Sequence, residues 1–411
     1  MPVPKKLIVF LLIGISLFLF LIKLIHKADT MSFFVDEVIN NQAVYNLFTI
    51  GDYTSRIQHE KFDPAITSGI LTTWLSGVVF LNGGNLFQSR LIIAVFMFFQ
   101  MLVLGVLFMK KYIKPLPERI IFSLISIFAL FYFPYWYGFI YNLGELQGAL
   151  LLGWGLLILN RFPPLAYFML GGAVWLCKMI YLPCAILWGA ASALSTPGVL
   201  SRKAKSGILF LFFFFFPLFF WMMLIYLKFD WSVLKAWFIQ FTHFFHGHSG
   251  LDRALTLSER LHTMEWANLK FHTKFEIIFF LIFPVIYGIY VLLREISWGE
   301  ERPKFLLVLA TMGFLILHTY WYFFISGFMW ARHAQPGLYI GFGLLCFLLL
   351  QTKLFFSHNS FLYLPRILFV LFCIVLFFQI LTFKKSWPTI SKTATFARLC
   401  VDLNSDQCLG H

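Results

Sequence analysis

Long apolar segments alternate with short polar breaks along almost the whole chain. Runs of Leu, Phe and Ile, ended by charged residues or by Pro and Gly, predict helices that cross a membrane, since a span needs about 20 residues. The fifth and sixth runs are short and are compatible with one broken pair that meets between Lys178 and Pro183. The predicted spans are residues 7–26, 88–109, 120–134, 142–159, 164–180, 183–196, 207–227, 275–293, 304–326, 334–350 and 362–383.

The composition supports a membrane protein. Of 411 residues, 60% are hydrophobic, 20% are aromatic and only 12% are charged, and the mean hydropathy is +0.82. Soluble domains are about 25% charged. The fold class we predict is an all-α polytopic membrane protein with about 11 transmembrane helices in a single domain, residues 1–411. The first run has no small-residue cleavage site after it, so we interpret it as a retained span rather than a signal peptide.

The basic residues indicate how the spans are oriented. The net charge is +14, but the Lys and Arg residues are scattered between spans and form no RNA-binding motif, so we expect no nucleic-acid partner. Short connections rich in Lys and Arg face the cytoplasm, which requires the N-terminus to be inside. Two long outer loops, residues 27–87 and 228–274, then lie outside, and an odd number of spans also places the tail, residues 384–411, outside.

The first outer loop contains an acidic pair, Asp36 and Glu37, in a chain with only 18 acidic residues. The segment from Asp36 to Tyr53 predicts an amphipathic helix along the membrane surface, with polar residues at Asn40, Asn41, Gln42 and Asn46. Carboxylates at a helix N-terminus are stabilised by the helix dipole. Taken alone, the pair is therefore a helix start, and only the rest of the chain favours a functional role.

Three segments resemble the GT-C glycosyltransferases, membrane enzymes that transfer sugars from polyprenyl-phosphate carriers and include the protein O-mannosyltransferase and aminoarabinose-transferase groups. The first segment is the loop itself, with Phe34-Val-Asp36-Glu37, Gly51-Asp52-Tyr53 and Pro64 before a semi-apolar stretch. The others are Trp175-Leu-Cys-Lys178-Met-Ile-Tyr-Leu-Pro183 and Trp330-Ala-Arg332-His333-Ala-Gln-Pro336. They follow the family's order and extend over most of the chain, which implies a GT-C-like bundle with interfacial helices in the first outer loop.

The chain departs from the family pattern at two places. Asp63-Pro64-Ala65 stands where the family often has a Pro-Pro pair, and Asn40 and Asn41 stand where the aminoarabinose-transferase group has a basic residue. The resemblance therefore leaves both the sugar and the acceptor open.

The resemblance implies a catalytic role for the acidic pair. Transfer of a sugar to a hydroxyl needs a carboxylate that takes the acceptor proton, and in a GT-C enzyme this is the first acid of the loop, which we assign to Asp36. Glu37 would orient Asp36, contact the acceptor, or do neither. The phosphate leaving group needs cations, for which Arg is well suited by its planar fork. The candidates are Arg332, Lys178 and Arg56.

Other polar residues of the predicted outer face are candidates for contact with the acceptor or the sugar: Glu145, Tyr141, His333 and His59. Glu145 stands alone on an apolar segment, where acids are costly. Of its two interpretations, we place an ion pair with Lys178 or Arg332 before direct substrate contact.

The second outer loop contains the spacing His243-x-x-His246-x-His248, which is compatible with zinc. No carboxylate or Cys nearby completes a ligand set, so we predict no metal site and no cofactor, with a divalent cation left as an open alternative.

The sequence thus predicts a multi-pass enzyme of the bacterial inner membrane whose active site faces the periplasm or exterior. It would transfer a sugar, with inversion, from a polyprenyl-phosphate donor in the lipid bilayer to a cell-envelope glycan, lipid or protein acceptor. The alternatives are a flippase or transporter of lipid-linked glycans, which should have Gly/Pro-broken helices, and an O-antigen polymerase or ligase that uses the 228–274 loop. No phosphate-binding glycine loop is present, which argues against a nucleotide-sugar donor.

Overall fold

A computed structural model describes residues 5–30, 35–49, 69–112, 138–141, 143–235, 271–294, 301–326 and 331–351, with a few further residues at 51, 119, 123, 238–239, 256, 258–259 and 269. This part of the chain is nearly all helical and contains no strand. The predicted all-helical class is therefore confirmed for the described residues.

The helices of the described ranges are, in chain order, α1 (Lys5–Thr30), α2 (Val35–Thr49), α3 (Trp74–Leu81), α4 (Leu86–Tyr112), α5 (Glu145–Ile158), α6 (Pro163–Gly171), α7 (Leu182–Ser195), α8 (Leu200–Phe229), α9 (Phe271–Arg294), α10 (Arg302–Tyr320) and α11 (Ala331–Gln351). A π-helical turn continues α6 over Gly172–Cys177 and another continues α10 over Trp321–Ile325.

Four helical segments among the described residues are long and apolar enough to cross a membrane: Leu86–Lys111, Leu200–Phe229, Thr273–Arg294 and Arg302–Ile325. Helices overlap each apolar segment predicted from the sequence except 120–134, of which only residue 123 is described, and 362–383, which lies outside the described residues. The structure therefore supports a helical membrane protein, while the count of about 11 spans stays a prediction.

The described residues divide into two compact units, one formed by those up to residue 150 and the other by those from residue 151 onward. In the first unit, α1 packs on α4, and α3 packs on both α2 and α4. The ring of Phe20 on α1 stacks on Phe98 of α4 with centroids 5.2 Å apart. A smaller apolar cluster of Val44, Phe80 and Leu86 joins α2, α3 and the start of α4.

In the second unit, α7 packs on α10, α6 on α8, and α9 on both α10 and α11. The α7–α10 contact includes a buried hydrogen bond, 3.0 Å long, from the indole Nε1 of Trp188 to Thr311 Oγ1. Many large apolar side chains of α8 are exposed, among them Ile208, Phe212 and Phe219, as expected for a helix that contacts lipid.

The α6–α7 segment is interrupted at Lys178, as the sequence suggested. After the π-helical turn, Lys178 has an extended backbone with φ −151° and ψ 116°, and a short 3-10 turn, Met179–Tyr181, leads into α7. Pro183 lies in the first turn of α7, where its missing N–H costs nothing and its fixed φ suits a helix start. The break therefore has a local cause in the sequence.

Two glycines allow helices of the second unit to approach closely. A Cβ atom at Gly171 of α6 would collide with the carbonyl of Phe214 on α8, and a Cβ at Gly341 of α11 would collide with the carbonyl oxygen of Phe280 on α9. Small residues at such contacts are typical of helix pairs in membranes.

Replacement of Gly341 by Ala is expected to destabilise the protein by about 1–3 kcal/mol, because the added methyl group overpacks the α9–α11 contact. Gly343→Ala is the matched control, since a Cβ at Gly343 meets nothing within 4 Å. Unfolding of the detergent-solubilised variants by SDS measures both effects. Equal stabilities of the two variants would contradict the close contact.

Candidate functional site

The acidic pair lies in the first turn of α2, which begins at Val35. This agrees with the predicted helix start, but the polar residues of the helix differ from the expectation of an amphipathic surface helix. Asn40, Asn41 and Asn46 are each only 1% exposed. The packing of α3 against α2 contributes to this burial.

Glu37 forms a buried ion pair with Arg90 of α4. Arg90 Nε donates to Glu37 Oε1 and Arg90 Nη2 donates to Glu37 Oε2, both at 2.6 Å. The side chains of Arg90 and Glu37 are 2% and 0% exposed. Such a two-pronged arrangement is the strongest form of a charge-assisted hydrogen bond, and both carboxylate oxygens of Glu37 are engaged.

The same guanidinium also reaches α1 and Tyr141. Its Nη1 atom donates to the backbone carbonyl of Ala28 at 3.2 Å, and its central carbon Cζ lies 5.6 Å from the ring centroid of Tyr141, within the range of a cation–π contact. Arg90 thus contacts both Glu37, a member of the acidic pair, and Tyr141, which the sequence predicts as a sugar or acceptor contact.

The position of Arg90 follows from the way α4 begins. Gly83 has φ +75° in the turn after α3, a conformation that glycine adopts without strain. Asn85 Oδ1 then accepts from Gln88 N at 3.0 Å, and Gln88 Oε1 accepts from Asn85 N at 2.9 Å. This reciprocal arrangement is equivalent to a capping box and fixes the first turn of α4, directly before Arg90.

Arg90 was not identified from the sequence, although one indication was available. It is a single cation close to the start of an otherwise apolar span, and an ionisable residue inside a span usually has a partner or a role. Its partner could not be deduced, because Glu37 lies 53 positions away in the sequence.

A second set of hydrogen bonds connects α2 to α3 and α4. Asn41 Nδ2 donates to the backbone carbonyl of Glu37 at 2.9 Å. Ser89 Oγ lies 3.5 Å from Asn41 Oδ1 and 2.6 Å from Ser76 Oγ. Together with the ion pair, these bonds fix the first two turns of α2 within its unit.

Glu145 is the first residue of α5 and is 4% exposed. It belongs to the first unit, whereas Lys178 and Arg332, its predicted partners, belong to the second. The predicted ion pair of Glu145 stays a prediction.

Lys178, Arg332 and His333 occupy two local environments in the second unit. Lys178 is partly exposed at the break between α6 and α7. Arg332 and His333 are partly exposed in the first turn of α11, where His333 Nδ1 lies 3.2 Å from Ser326 Oγ and the imidazole is 5.7 Å from the Trp321 ring centroid. His333 therefore lies against the end of the α10 segment.

Several predicted residues lie outside the described part of the chain. These are Arg56 and His59 of the loop 27–87 and His243, His246 and His248 of the loop 228–274, both predicted to lie outside. Among the residues that the structure does describe, no group of three His, Cys, Asp or Glu side chains is arranged to hold a metal ion.

Comparison of the chain with protein-family models, with curated protein sequences and with solved structures finds no match in any of the three. The GT-C resemblance therefore rests on the motifs quoted from the sequence and stays a prediction.

Proposed function

We propose that the protein is a GT-C-type membrane glycosyltransferase. It moves a sugar from a polyprenyl-phosphate donor to a hydroxyl of a cell-envelope glycan, lipid or protein, with inversion, at the periplasmic or outer face of a bacterial inner membrane. The protein would fold as a GT-C-like bundle of about 11 transmembrane helices.

The observation that carries the proposal is the ion pair of Glu37 with Arg90 at the start of α2. A general base must be held within about 0.5 Å of its working position. Arg90 belongs to α4 and donates to Glu37, so it connects α4 to the turn that carries Asp36. Its bond to the Ala28 carbonyl connects the same turn to α1. A buried ion pair is an expensive way to gain stability alone, so its position beside Asp36 favours a role in positioning.

In the proposed reaction, an acceptor oxygen attacks the anomeric carbon as the bond to the phosphate breaks, and Asp36 takes the hydroxyl proton. Glu37 acts as a positioning residue, since both of its oxygens already accept hydrogen bonds from Arg90. The phosphate leaves as an anion and needs cations rather than a proton donor. Arg332 and Lys178, with Arg56, are the proposed phosphate-binding residues, and Glu145, Tyr141, His333 and His59 the proposed sugar or acceptor contacts.

A transporter of lipid-linked glycans is the second candidate, and the interruption at Lys178 is the observation that favours it. Transporters bind substrate at discontinuous helices whose ends point at the ligand. The extended backbone of Lys178 between a π-helical turn and α7 has this form.

Proteoliposomes that contain the purified protein separate the two functions. We expect a radiolabelled sugar to move from synthetic polyprenyl-phosphate donors to an envelope extract, with release of polyprenyl phosphate, and no transfer from the nucleotide sugar. The control is an identical liposome without protein. Movement of intact donor across the bilayer without release of polyprenyl phosphate would overturn the enzyme proposal in favour of a transporter.

A further inference from the structure

Asn40 differs from Glu37 and Asn41, the buried polar residues next to it on α2. It is 1% exposed, yet in the described part of the chain neither its Nδ2 nor its Oδ1 atom has a hydrogen-bond partner. Asn41, buried to the same extent, is bonded to Glu37 and lies beside Ser89, and Glu37 is bonded to Arg90. Asn40 therefore differs from both residues, whose buried side chains are hydrogen-bonded.

A buried carboxamide with neither atom bonded is unfavourable for the fold. Buried polar groups almost always have partners, and each exception calls for an explanation. An apolar residue of similar shape removes the cost of desolvating the amide, so the fold alone would favour Leu over Asn here. The protein keeps a donor and an acceptor where its own structure uses neither.

The position of Asn40 relates it to the proposed catalytic residue. Asp36 and Asn40 are four residues apart on α2, and residues at this spacing lie on one face of a helix with Cβ atoms about 5–6 Å apart. A group bound at Asn40 would thus lie within one helical turn of Asp36. The Glu37–Arg90 ion pair holds this first turn of α2 against α4.

We propose that Asn40 is a substrate-binding residue that recognises a neutral hydroxyl group. A carboxamide offers one donor group and one acceptor, which a hydroxyl matches because it also donates and accepts. A charged group is a poorer match, since the nearby guanidinium of Arg90 is already neutralised by Glu37. This inference rests on the proposed function, and within it the hydroxyl belongs to the donor sugar or to the acceptor.

Stability and binding of two leucine variants test the proposal. Asn40→Leu is expected to unfold at the wild-type temperature or above, because it removes an unsatisfied amide, whereas Asn41→Leu is expected to unfold at a lower temperature because it breaks existing hydrogen bonds. If Asn40→Leu destabilises the protein as much as Asn41→Leu does, the amide serves the fold and the proposal is overturned.

Three measurements identify whether the hydroxyl belongs to the donor sugar or to the acceptor. Methyl glycosides of glucose, mannose and galactose are the first probe, and at least one should raise the unfolding temperature of the wild type but not of Asn40→Leu. If the donor sugar is bound, Asn40→Leu weakens binding of polyprenyl-phosphate sugar about tenfold, the effect of one lost hydrogen bond, and leaves bare polyprenyl phosphate unaffected. If the acceptor is bound, the KM for the acceptor rises by a similar factor instead.

The outcomes distinguish this proposal from the proposed function. Wild-type transfer activity and sugar binding that are both retained in Asn40→Leu would overturn the role of Asn40 and leave the enzyme intact. A methyl-glycoside effect that depends on Asn40, in a protein that transfers no sugar, would support the hydroxyl site and overturn the enzyme.

Discussion

Replacement of Asp36 by Asn is expected to lower the rate of sugar transfer about 10²–10⁴-fold, the usual contribution of a general base. The amide has the same shape as the carboxylate but does not take up the acceptor proton. Expression and unfolding temperature should stay at the wild-type level, since the Glu37–Arg90 pair that fixes α2 is untouched. Transfer from a polyprenyl-phosphate sugar, with mass analysis of envelope glycans from cells that carry the variant, measures the loss.

Asp230→Asn is the matched control for this experiment. Asp230 follows α8, and its Oδ1 accepts hydrogen bonds from the backbone N of Ser232 at 2.7 Å and of Val233 at 3.3 Å. The Ser232 hydroxyl and these backbone groups hold the pKa of Asp230 below its ordinary value. Asp230 caps the helical residues 231–235 that follow it, and Asn caps a helix as well as Asp does. Asn has the same shape as Asp and so adds no strain at the φ of 114°, and transfer should be unchanged. Wild-type transfer by Asp36→Asn would contradict the role assigned to Asp36.

Loss of Arg90 is expected to have the largest effect on stability. Arg90→Met removes one partner of a fully buried pair and leaves Glu37 without its cation, which costs about 3–5 kcal/mol. The double variant Glu37→Met/Arg90→Met removes both charges and should regain the wild-type stability or exceed it. SDS-induced unfolding of the solubilised variants measures the differences in free energy of unfolding.

Lys304→Met is the control for the loss of a charge pair. Lys304 contacts Glu301, three residues away, but their side chains are 43% and 33% exposed. Exposed pairs contribute about 0–1 kcal/mol, so this variant should unfold close to the wild type. If Arg90→Met loses no more stability than Lys304→Met, the ion pair does not anchor α2.

The helices were predictable because their causes are local. Runs of apolar residues predicted α4, α9 and the α10 segment within a few residues, whereas α8 begins at Leu200, before the predicted start at residue 207. The short runs on either side of Lys178 and Pro183 predicted the interruption before α7. The start of α2 at the acidic pair was also predicted, since carboxylates favour the first turn of a helix.

The contacts around the acidic pair were not predictable in the same way. The Glu37–Arg90 bond joins residues from two helices, and hydropathy patterns carry no information about which polar side chains meet. The asparagines of α2 have the composition of a water-facing side and are nevertheless buried, because α3 packs on their helix. Burial of polar groups depends on tertiary packing, which propensity and periodicity do not encode.

The ion pair also constrains how the protein assembles during synthesis. Glu37 leaves the ribosome before Arg90, so α2 is complete while α4 is still to be inserted. Arg90 then enters the membrane close to the N-terminal end of α4, where a long side chain reaches the headgroup region at modest cost. The pair can close only once α4 is in place. The segment with α2 is therefore docked only after the insertion of the helix that holds it.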